Sequence, residues 1–176
     1  MRVLDVATGA GDIPLALWRK AQRAGLKLEI HGIDISERAL EFARQKADAN
    51  GAKIEFSRLD ALAEELPAGF DAIVSSLFLH HLTNEQAEQL LGSMARATNH
   101  MVLVNDLRRS FGGWLLADAA VRVLMRSDVA RVDGPRSVRA AFSMPEIRAL
   151  ASAAGMNDAD VSPRWPCRFL LSWRKA

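Results

Sequence analysis

Four aspartates stand at or near the ends of predicted strands, and the first of them precedes a pair of glycines. They are Asp5, Asp34, Asp60 and Asp106. Asp5 lies in the apolar run "RVLDVA", where an unpaired carboxylate in a buried strand would be costly. Gly9 and Gly11 follow in "TGAGD" and permit a tight turn before a helix. Acids at the carboxyl ends of adjacent parallel strands predict a site for a polar ligand, because open α/β sheets bind ligands there.

The elements that must position these acids alternate between strand and helix, which is typical of a parallel sheet covered by helices. Strands are predicted at 2–7, 28–34, 54–59, 70–75 and 100–106, with two more at 156–162 and 167–173 as a closing hairpin. Helices are predicted at 13–24, from Ser36 to Asn50, from Thr83, at 114–125, and from Ser143 to Gly155, with an arginine-rich loop at 126–142. We expect one domain that spans residues 1–176.

The acids argue against a phosphate-bearing ligand. A nicotinamide dinucleotide fingerprint needs a third glycine, and Asp12, Ile13 and Pro14 follow Gly11 instead. A carboxylate before the turn and another at Asp12 would repel a pyrophosphate. A P-loop needs Gly-Lys-Ser/Thr after the turn, and the sequence has none. A ligand with amines, ribose hydroxyls and a positive centre would suit these carboxylates better.

The order of the motifs adds a resemblance to a known family. The segments "VLDVATGAGD", "IHGIDIS", "SRLDA" and "FDAIVSSLFLHHL" resemble the successive motifs of class I S-adenosylmethionine-dependent methyltransferases. The pattern extends from residue 2 to about residue 106 and is closest to the ubiquinone/menaquinone C-methyltransferase-like small-molecule enzymes. The resemblance implies a Rossmann-like α/β fold. Its seven-stranded sheet would have the order 3-2-1-4-5-7-6, the last strand antiparallel, and helices on both faces.

The same resemblance implies S-adenosyl-L-methionine as the cofactor, with no metal, and a set of residues that hold it. Asp5 would lie near the methionine amino group, Asp34 would accept both ribose hydroxyls, and Asp60 would accept the adenine amino group. Ser75 to Leu77 would line the reacting end. The residues assigned to the cofactor are Asp5, Ala7, Gly9, Gly11, Asp34, Ile35, Asp60, Ala61, Ser75, Ser76 and Leu77. Ala7 departs from the commonest form of the family, which often has the first glycine of the turn there.

Two histidines and two arginines are candidates for the reaction and the acceptor. His80 and His81 follow the fourth strand, and either could remove a proton from a hydroxyl or an acidic carbon. His81 is favoured by the family pattern; the alternative is that both only pack or start a helix. Arg108 and Arg109 precede a predicted apolar helix and would suit a lipophilic or aromatic acceptor with an anionic group. A core helix with surface arginines is an equally open alternative.

Composition and charge disfavour several other classes. The 176 residues carry a net charge of only +2, and the arginines of the second half alternate with acids, so a nucleic-acid substrate is disfavoured. No Asn/Asp-Pro-Pro-aromatic motif follows the fourth strand, which disfavours the enzymes that methylate amines of nucleic acids and of glutamine. The single cysteine, Cys167, excludes an internal disulfide and suits a reducing compartment. With no signal peptide and no apolar run of about 20 residues, we expect a cytoplasmic protein.

Two functions therefore stand. The favoured one is methyl transfer to a small molecule, O- or C-directed, with a quinone-, phenol- or polyketide-like acceptor. The alternative is a truncated or partner-dependent domain that binds the cofactor without turnover; an RNA methyltransferase is a third possibility. Many family members carry helices ahead of the first strand that close over the site, and this sequence starts at that strand. A homodimer or another partner could supply the missing lid.

Overall fold

A single mixed sheet organises the chain in the computed structural model, which describes residues 1–109 and 141–175. Its strands are β1 (Arg2–Val6), β2 (Glu29–Asp34), β3 (Ile54–Arg58), β4 (Phe70–Ser76), β5 (Thr98–Leu107), β6 (Asp160–Arg164) and β7 (Arg168–Arg174). The order is β3-β2-β1-β4-β5-β7-β6. Strands β1 to β5 pair in parallel, and β7 runs antiparallel to both of its neighbours. The predicted fold class, strand order and antiparallel last strand are confirmed.

Helices cover both faces of the sheet. They are α1 (Asp12–Arg23), α2 (Glu37–Ala49), a short 3-10 turn (Leu79–His81), α3 (Asn84–Ala97) and α4 (Met144–Ala153). Alternate residues of a strand face opposite sides, so Leu4 and Val6 belong to the large core with Leu90 of α3, whereas Val3 packs on the other side with Leu17 of α1. The sheet is thus buried between two layers, as its apolar strands require.

The helix starts follow the predicted caps. Ser36 accepts from the Ala39 backbone N–H and begins α2. Thr83 and Gln86 form a reciprocal capping box at the start of α3. These side chains satisfy backbone N–H groups that have no partner within the helix.

The closing hairpin begins later than the sequence predicts. Residues 156–159 do not extend a strand, because the Met156 N–H bonds to the Ala151 carbonyl at 2.8 Å and Gly155 has a φ of +85°. This arrangement closes α4 and buries the Met156 side chain in the core. Cys167, predicted as the start of the last strand, has a φ of +54° and belongs to the turn between β6 and β7.

The predicted helix 114–125 and most of the arginine-rich segment 126–142 lie outside the described residues. Within residues 1–109 and 141–175, no helix has the length and apolar character to cross a membrane.

Because β1, β2, β4 and β5 are parallel, their carboxyl ends meet at one edge of the sheet. Strand order reverses between β1 and β4, where Val6 pairs with Ser75. At the same edge, Ser76 of β4 pairs with Asn105 of β5. An edge of this kind, next to a reversal of strand order, is where open α/β sheets bind ligands.

Candidate functional site

The turn after β1 combines close packing with an open surface. Gly11 has a φ of +72°, and a Cβ there would lie 2.9 Å from the Ala43 Cβ of α2, so a side chain does not fit. Gly9 has a φ of +55°, and a Cβ there would meet nothing within 4 Å. Gly11 is therefore required for packing of the turn on α2, whereas Gly9 leaves the backbone open to a ligand. Ala7 also has a positive φ, 57°, which explains why glycine is favourable at that position.

The carboxylate of Asp34 is fixed next to this turn. Its Oδ2 accepts from the Gly9 N–H at 2.8 Å, and its Oδ1 accepts from the Ser36 N–H at 2.9 Å. Each carboxylate oxygen can accept more than one hydrogen bond, so both oxygens retain capacity for a ligand hydroxyl. The end of β2 therefore presents a fixed acceptor at the carboxyl edge.

A pocket of about 220 Å³ opens at this edge. It is lined by Ala7, Asp34, Ile35, Leu59, Asp60, Ala61, Leu77, Phe78 and His81. Leu59 and Phe78 were missed from the sequence, although both are direct neighbours of predicted residues. A larger groove of about 430 Å³ lies beside α3 and contains none of the predicted site residues. The smaller pocket is the candidate site, because two carboxylates and an imidazole converge in it.

Asp60 occupies the wall of the pocket that follows β3. Its Oδ1 accepts from the Leu62 N–H at 3.0 Å, which fixes the turn after the strand. The Leu59 N–H bonds to the Asp34 carbonyl at 3.1 Å and holds the ends of β2 and β3 together. Asp34 and Asp60 therefore share one pocket although they are far apart in sequence.

Asp5 lies beneath the glycine turn and is not one of the residues that line the pocket. It is buried, and its Oδ2 accepts from the Thr8 hydroxyl at 2.6 Å. Burial raises the pKa of Asp5 to about 7; the hydrogen bond from Thr8 opposes the rise, and the negative charge of Asp34 adds to it. The carboxyl can thus exchange a proton near neutral pH, and a nearby cation would favour its charged form.

The serines at the end of β4 have different surroundings. Ser75 is buried, and its hydroxyl donates to the Val6 carbonyl of β1 at 3.1 Å. Ser76 is partly buried, and its hydroxyl lies 3.4 Å from the side-chain amide of Asn105. Neither serine lines the pocket, and Leu77 is the member of the predicted trio that does.

The two histidines also differ. His80 is buried, with its Nδ1 2.6 Å from Oδ1 of Asp106. His81 lines the pocket, and its ring centroid lies 4.0 Å from that of His80. Burial lowers the pKa of His81, the positive charge of protonated His80 lowers it further, and Asp106 opposes both. A neutral imidazole in the pocket can accept a proton, so the geometry favours His81 over His80 as the base.

The arginines after β5 contact other parts of the chain rather than the pocket. Arg109 forms an ion pair with both carboxylate oxygens of Glu146, and its N–H bonds to the Phe142 carbonyl at 3.0 Å. The pKa of Glu146 is lowered, first by the Ser143 backbone N–H and then by the Ser143 hydroxyl and Arg109. The Arg108 N–H bonds to the Cys167 carbonyl at 2.8 Å. The predicted role of Arg108 and Arg109 in acceptor binding stays a prediction.

Two curated relatives of the chain are quinone-pathway methyltransferases by name. The demethylmenaquinone methyltransferase of Thermus thermophilus is 38% identical over 96 residues, which are 54% of this chain and 41% of that protein. The ubiquinone biosynthesis O-methyltransferase of Idiomarina loihiensis is 28% identical over 121 residues, or 68% of this chain and 47% of the relative. The chain thus spans less than half the length of each.

Solved structures with the same fold include other methyltransferases. A SAM-dependent methyltransferase from Aquifex aeolicus superimposes with a TM-score of 0.72 at 20% identity, over all of this chain and 82% of its own. The magnesium protoporphyrin IX methyltransferase of Synechocystis PCC 6803 with bound SAH has a TM-score of 0.68 at 20% identity, over 99% of this chain and 74% of its own. Residues 3–100 match the family model described as a methyltransferase domain. The chain belongs to this methyltransferase family, and the S-adenosylmethionine-dependent class predicted from the sequence is confirmed.

Proposed function

We propose that the chain holds S-adenosyl-L-methionine in the pocket at the carboxyl edge and transfers its methyl group to a small-molecule acceptor. The observation that carries the proposal is the convergence of Asp34, Asp60 and His81 in one pocket of about 220 Å³. The donor set fits this cofactor, which offers hydroxyls and amino groups to carboxylates and has no phosphate to repel them. The open space above Gly9 fits a ligand that crosses the turn.

The proposal assigns a role to three acids in or near the pocket and to His81. Asp34 accepts from the ribose hydroxyls, and Asp60 accepts from the adenine amino group. Asp5, beneath the turn, provides negative charge toward the methionine amino group. When bound, the cofactor supplies an electrophilic methyl group, so the protein mainly has to align the acceptor. His81 takes the proton of a hydroxyl or acidic carbon as the acceptor is methylated.

We also propose a chemical class for the acceptor. An O- or C-directed reaction on a quinone-, phenol- or polyketide-like molecule is supported by the names of the two curated relatives, which refer to demethylmenaquinone and to ubiquinone biosynthesis. Leu77 and Phe78 give the pocket an apolar wall beside His81, which suits an aromatic acceptor. The homodimer or partner that would close the pocket, and the cytoplasmic location, stay predictions.

Calorimetric titration with S-adenosylmethionine and S-adenosylhomocysteine (SAH) tests the cofactor part. We expect binding to the wild-type chain and a loss of affinity of about ten- to a hundredfold in Asp34→Ala, because charge-assisted hydrogen bonds are lost. Asp48→Ala is the matched control, since Asp48 lies on α2 and does not line the pocket. A folded wild-type chain that gives no heat with either compound would overturn the proposal.

Turnover is tested separately with a panel of phenols and reduced quinones, by mass-spectrometric detection of the methylated product. Product that depends on S-adenosylmethionine supports methyl transfer. SAH binding without product from any acceptor would instead favour the alternative predicted from the sequence, a domain that binds the cofactor without turnover.

A further inference from the structure

The segment after β4 is held by one buried carboxylate from β5. Oδ2 of Asp106 accepts from the backbone N–H groups of Phe78 and Leu79 at 2.8 and 2.6 Å. Oδ1 lies 2.6 Å from Nδ1 of His80 and accepts from the Leu107 N–H at 2.6 Å. The side chain of Asp106 is 1% exposed. A buried carboxylate with partners for both oxygens is strongly fixed, and so is the chain that donates to it.

The backbone of this segment includes one unfavourable conformation next to the bonds from Asp106. Leu77 adopts a φ of +58°, which is unfavourable for a side chain of its size. The 3-10 turn Leu79–His81 that follows is a single turn, in which the His81 N–H bonds to the Phe78 carbonyl at 3.0 Å. The bonds to Asp106 reach the two residues just before and at the start of this turn. Together with the bond from the Leu77 N–H to the Asn105 carbonyl at 3.0 Å, they attach the segment to β5.

His80 connects the Asp106 carboxylate to His81. The two rings are tilted by 40° with their centroids 4.0 Å apart, and His81 lines the pocket. The bond to Asp106 assigns a proton of His80 to Nδ1, which fixes the plane of the ring against which His81 packs. We propose that Asp106 and His80 are positioning residues that hold the His81 imidazole in place in the pocket for the transfer reaction. This inference rests on the proposed function, in which His81 faces the acceptor.

The charges around His81 give the inference a measurable consequence. The ionisable groups that face it are His80 on the same turn, Asp106 on β5, and Asp34 and Asp60 across the pocket. Burial and protonated His80 lower the pKa of His81, and Asp106 raises it by a smaller effect. Loss of the His80 ring removes a positive charge that lowers the pKa of His81, whereas loss of the Asp106 charge removes a negative charge that raises it. We therefore expect the pKa of His81 to rise toward its ordinary value of 6.5 when His80 is replaced, and to fall when Asp106 loses its charge.

Nuclear magnetic resonance titration of the histidine Cε1–H signals tests this without an acceptor. The chain has four histidines, so each signal can be assigned by one substitution. We expect the His81 signal of the wild-type chain to titrate below pH 6.5, at higher pH in His80→Asn, and at lower pH in Asp106→Asn. Asparagine at position 80 can still donate to Asp106, so this variant removes the ring and its charge without leaving the carboxylate unpaired. His100→Asn is the control, because His100 is exposed and does not line the pocket.

SAH titration of the same variants distinguishes a failure of the positioning role from a failure of the proposed function. Asp34 and Asp60 lie on other elements, so we expect the SAH affinity of His80→Asn to stay within about threefold of wild type. If wild type does not bind SAH, the proposed function fails. If His80→Asn is folded and binds SAH but its His81 titration matches that of wild type, the positioning role fails. A fall in thermal stability with an unchanged His81 titration would show that Asp106 only stabilises the fold.

Discussion

The backbone N–H of Gly9 donates to Oδ2 of Asp34 at 2.8 Å, so the turn after β1 is bonded to the acid that ends β2. These two residues are 25 positions apart in sequence, and they form a single surface at the carboxyl edge. A ligand that lies over the open backbone of Gly9 therefore meets the carboxylate of Asp34. The glycine turn and Asp34 are therefore parts of one candidate binding surface rather than two independent motifs.

The two glycines of the turn should respond differently to alanine. Gly9→Ala places a Cβ in open space at a positive φ, which costs about 1 kcal/mol of unfolding free energy. In the proposed function the same Cβ would intrude on the bound cofactor, so we expect SAH affinity to fall at least tenfold. Gly25→Ala is the matched control, with a φ of +65° and equally open surroundings at the end of α1. Calorimetry and thermal unfolding measure both effects; equal SAH affinity of the two variants would contradict the prediction.

Gly11→Ala should instead lose stability. Its Cβ would lie 2.9 Å from the Ala43 Cβ and 3.1 Å from Cζ of Phe56, in addition to the strain of a positive φ. Overpacking and strain together predict a loss of about 2–4 kcal/mol, measured by denaturant unfolding. A loss no greater than that of Gly25→Ala would show that the turn can move away from α2.

Asp5→Asn should stabilise the ligand-free chain, and more so at high pH. The pKa of Asp5 is raised to about 7 when folded, whereas an unfolded chain ionises it near pH 3.8. Between these two values the unfolded state loses its proton first, so native stability falls as pH rises and levels off above about pH 7. The cost at pH 8 is on the order of 4 kcal/mol, and asparagine avoids it while still accepting from the Thr8 hydroxyl.

Thermal unfolding of wild type and Asp5→Asn at pH 5 and pH 8 measures this difference. We expect the stability gap to widen at pH 8, and SAH binding to weaken in the variant because the negative charge beneath the turn is lost. Asp71→Asn serves as a control, since Asp71 is bonded to the Arg2 N–H at the opposite end of the strands. A gap that does not change between pH 5 and pH 8 would mean that Asp5 is already ionised in the folded chain at pH 5, so that its pKa is not raised.

Ser75→Ala tests a residue that the family resemblance assigned to the cofactor. Its buried hydroxyl donates to the Val6 carbonyl, so its removal should cost about 1 kcal/mol of unfolding free energy. Since Ser75 does not line the pocket, we expect SAH affinity within twofold of wild type. A tenfold loss of affinity in a stable Ser75→Ala chain would restore the predicted role in cofactor binding.

Much of the fold could be predicted because its signals are local. Gly11 before α1, Ser36 before α2 and the Thr83–Gln86 pair before α3 each act within a few residues. The site was predictable only in part. The pairing of Ser75 with Val6, and the bonds from Asp106 to the turn after β4, depend on which strands are neighbours and in what register. No local pattern encodes that a strand-end acid will face inward to a turn rather than outward to a ligand.

The substitution His81→Asn should impair methyl transfer without impairing SAH binding. The pocket wall formed by Asp34 and Asp60 is unchanged, so we expect SAH affinity within about threefold of wild type. If His81 is the general base as proposed, its loss should reduce methyl transfer to a phenolic acceptor by about 10²- to 10⁴-fold. His100→Asn, at an exposed position, should keep full activity.

The pH dependence of transfer follows from the same residue. The pKa of His81 lies below its ordinary value, mainly through burial, so the proposed base is mostly neutral at pH 7. If His81 is the base, the wild-type rate should rise with pH through a midpoint below 6.5 and then level off. His81→Asn should lose the acidic limb of this profile. A variant that retains both the wild-type rate and the acidic limb would show that another group removes the proton.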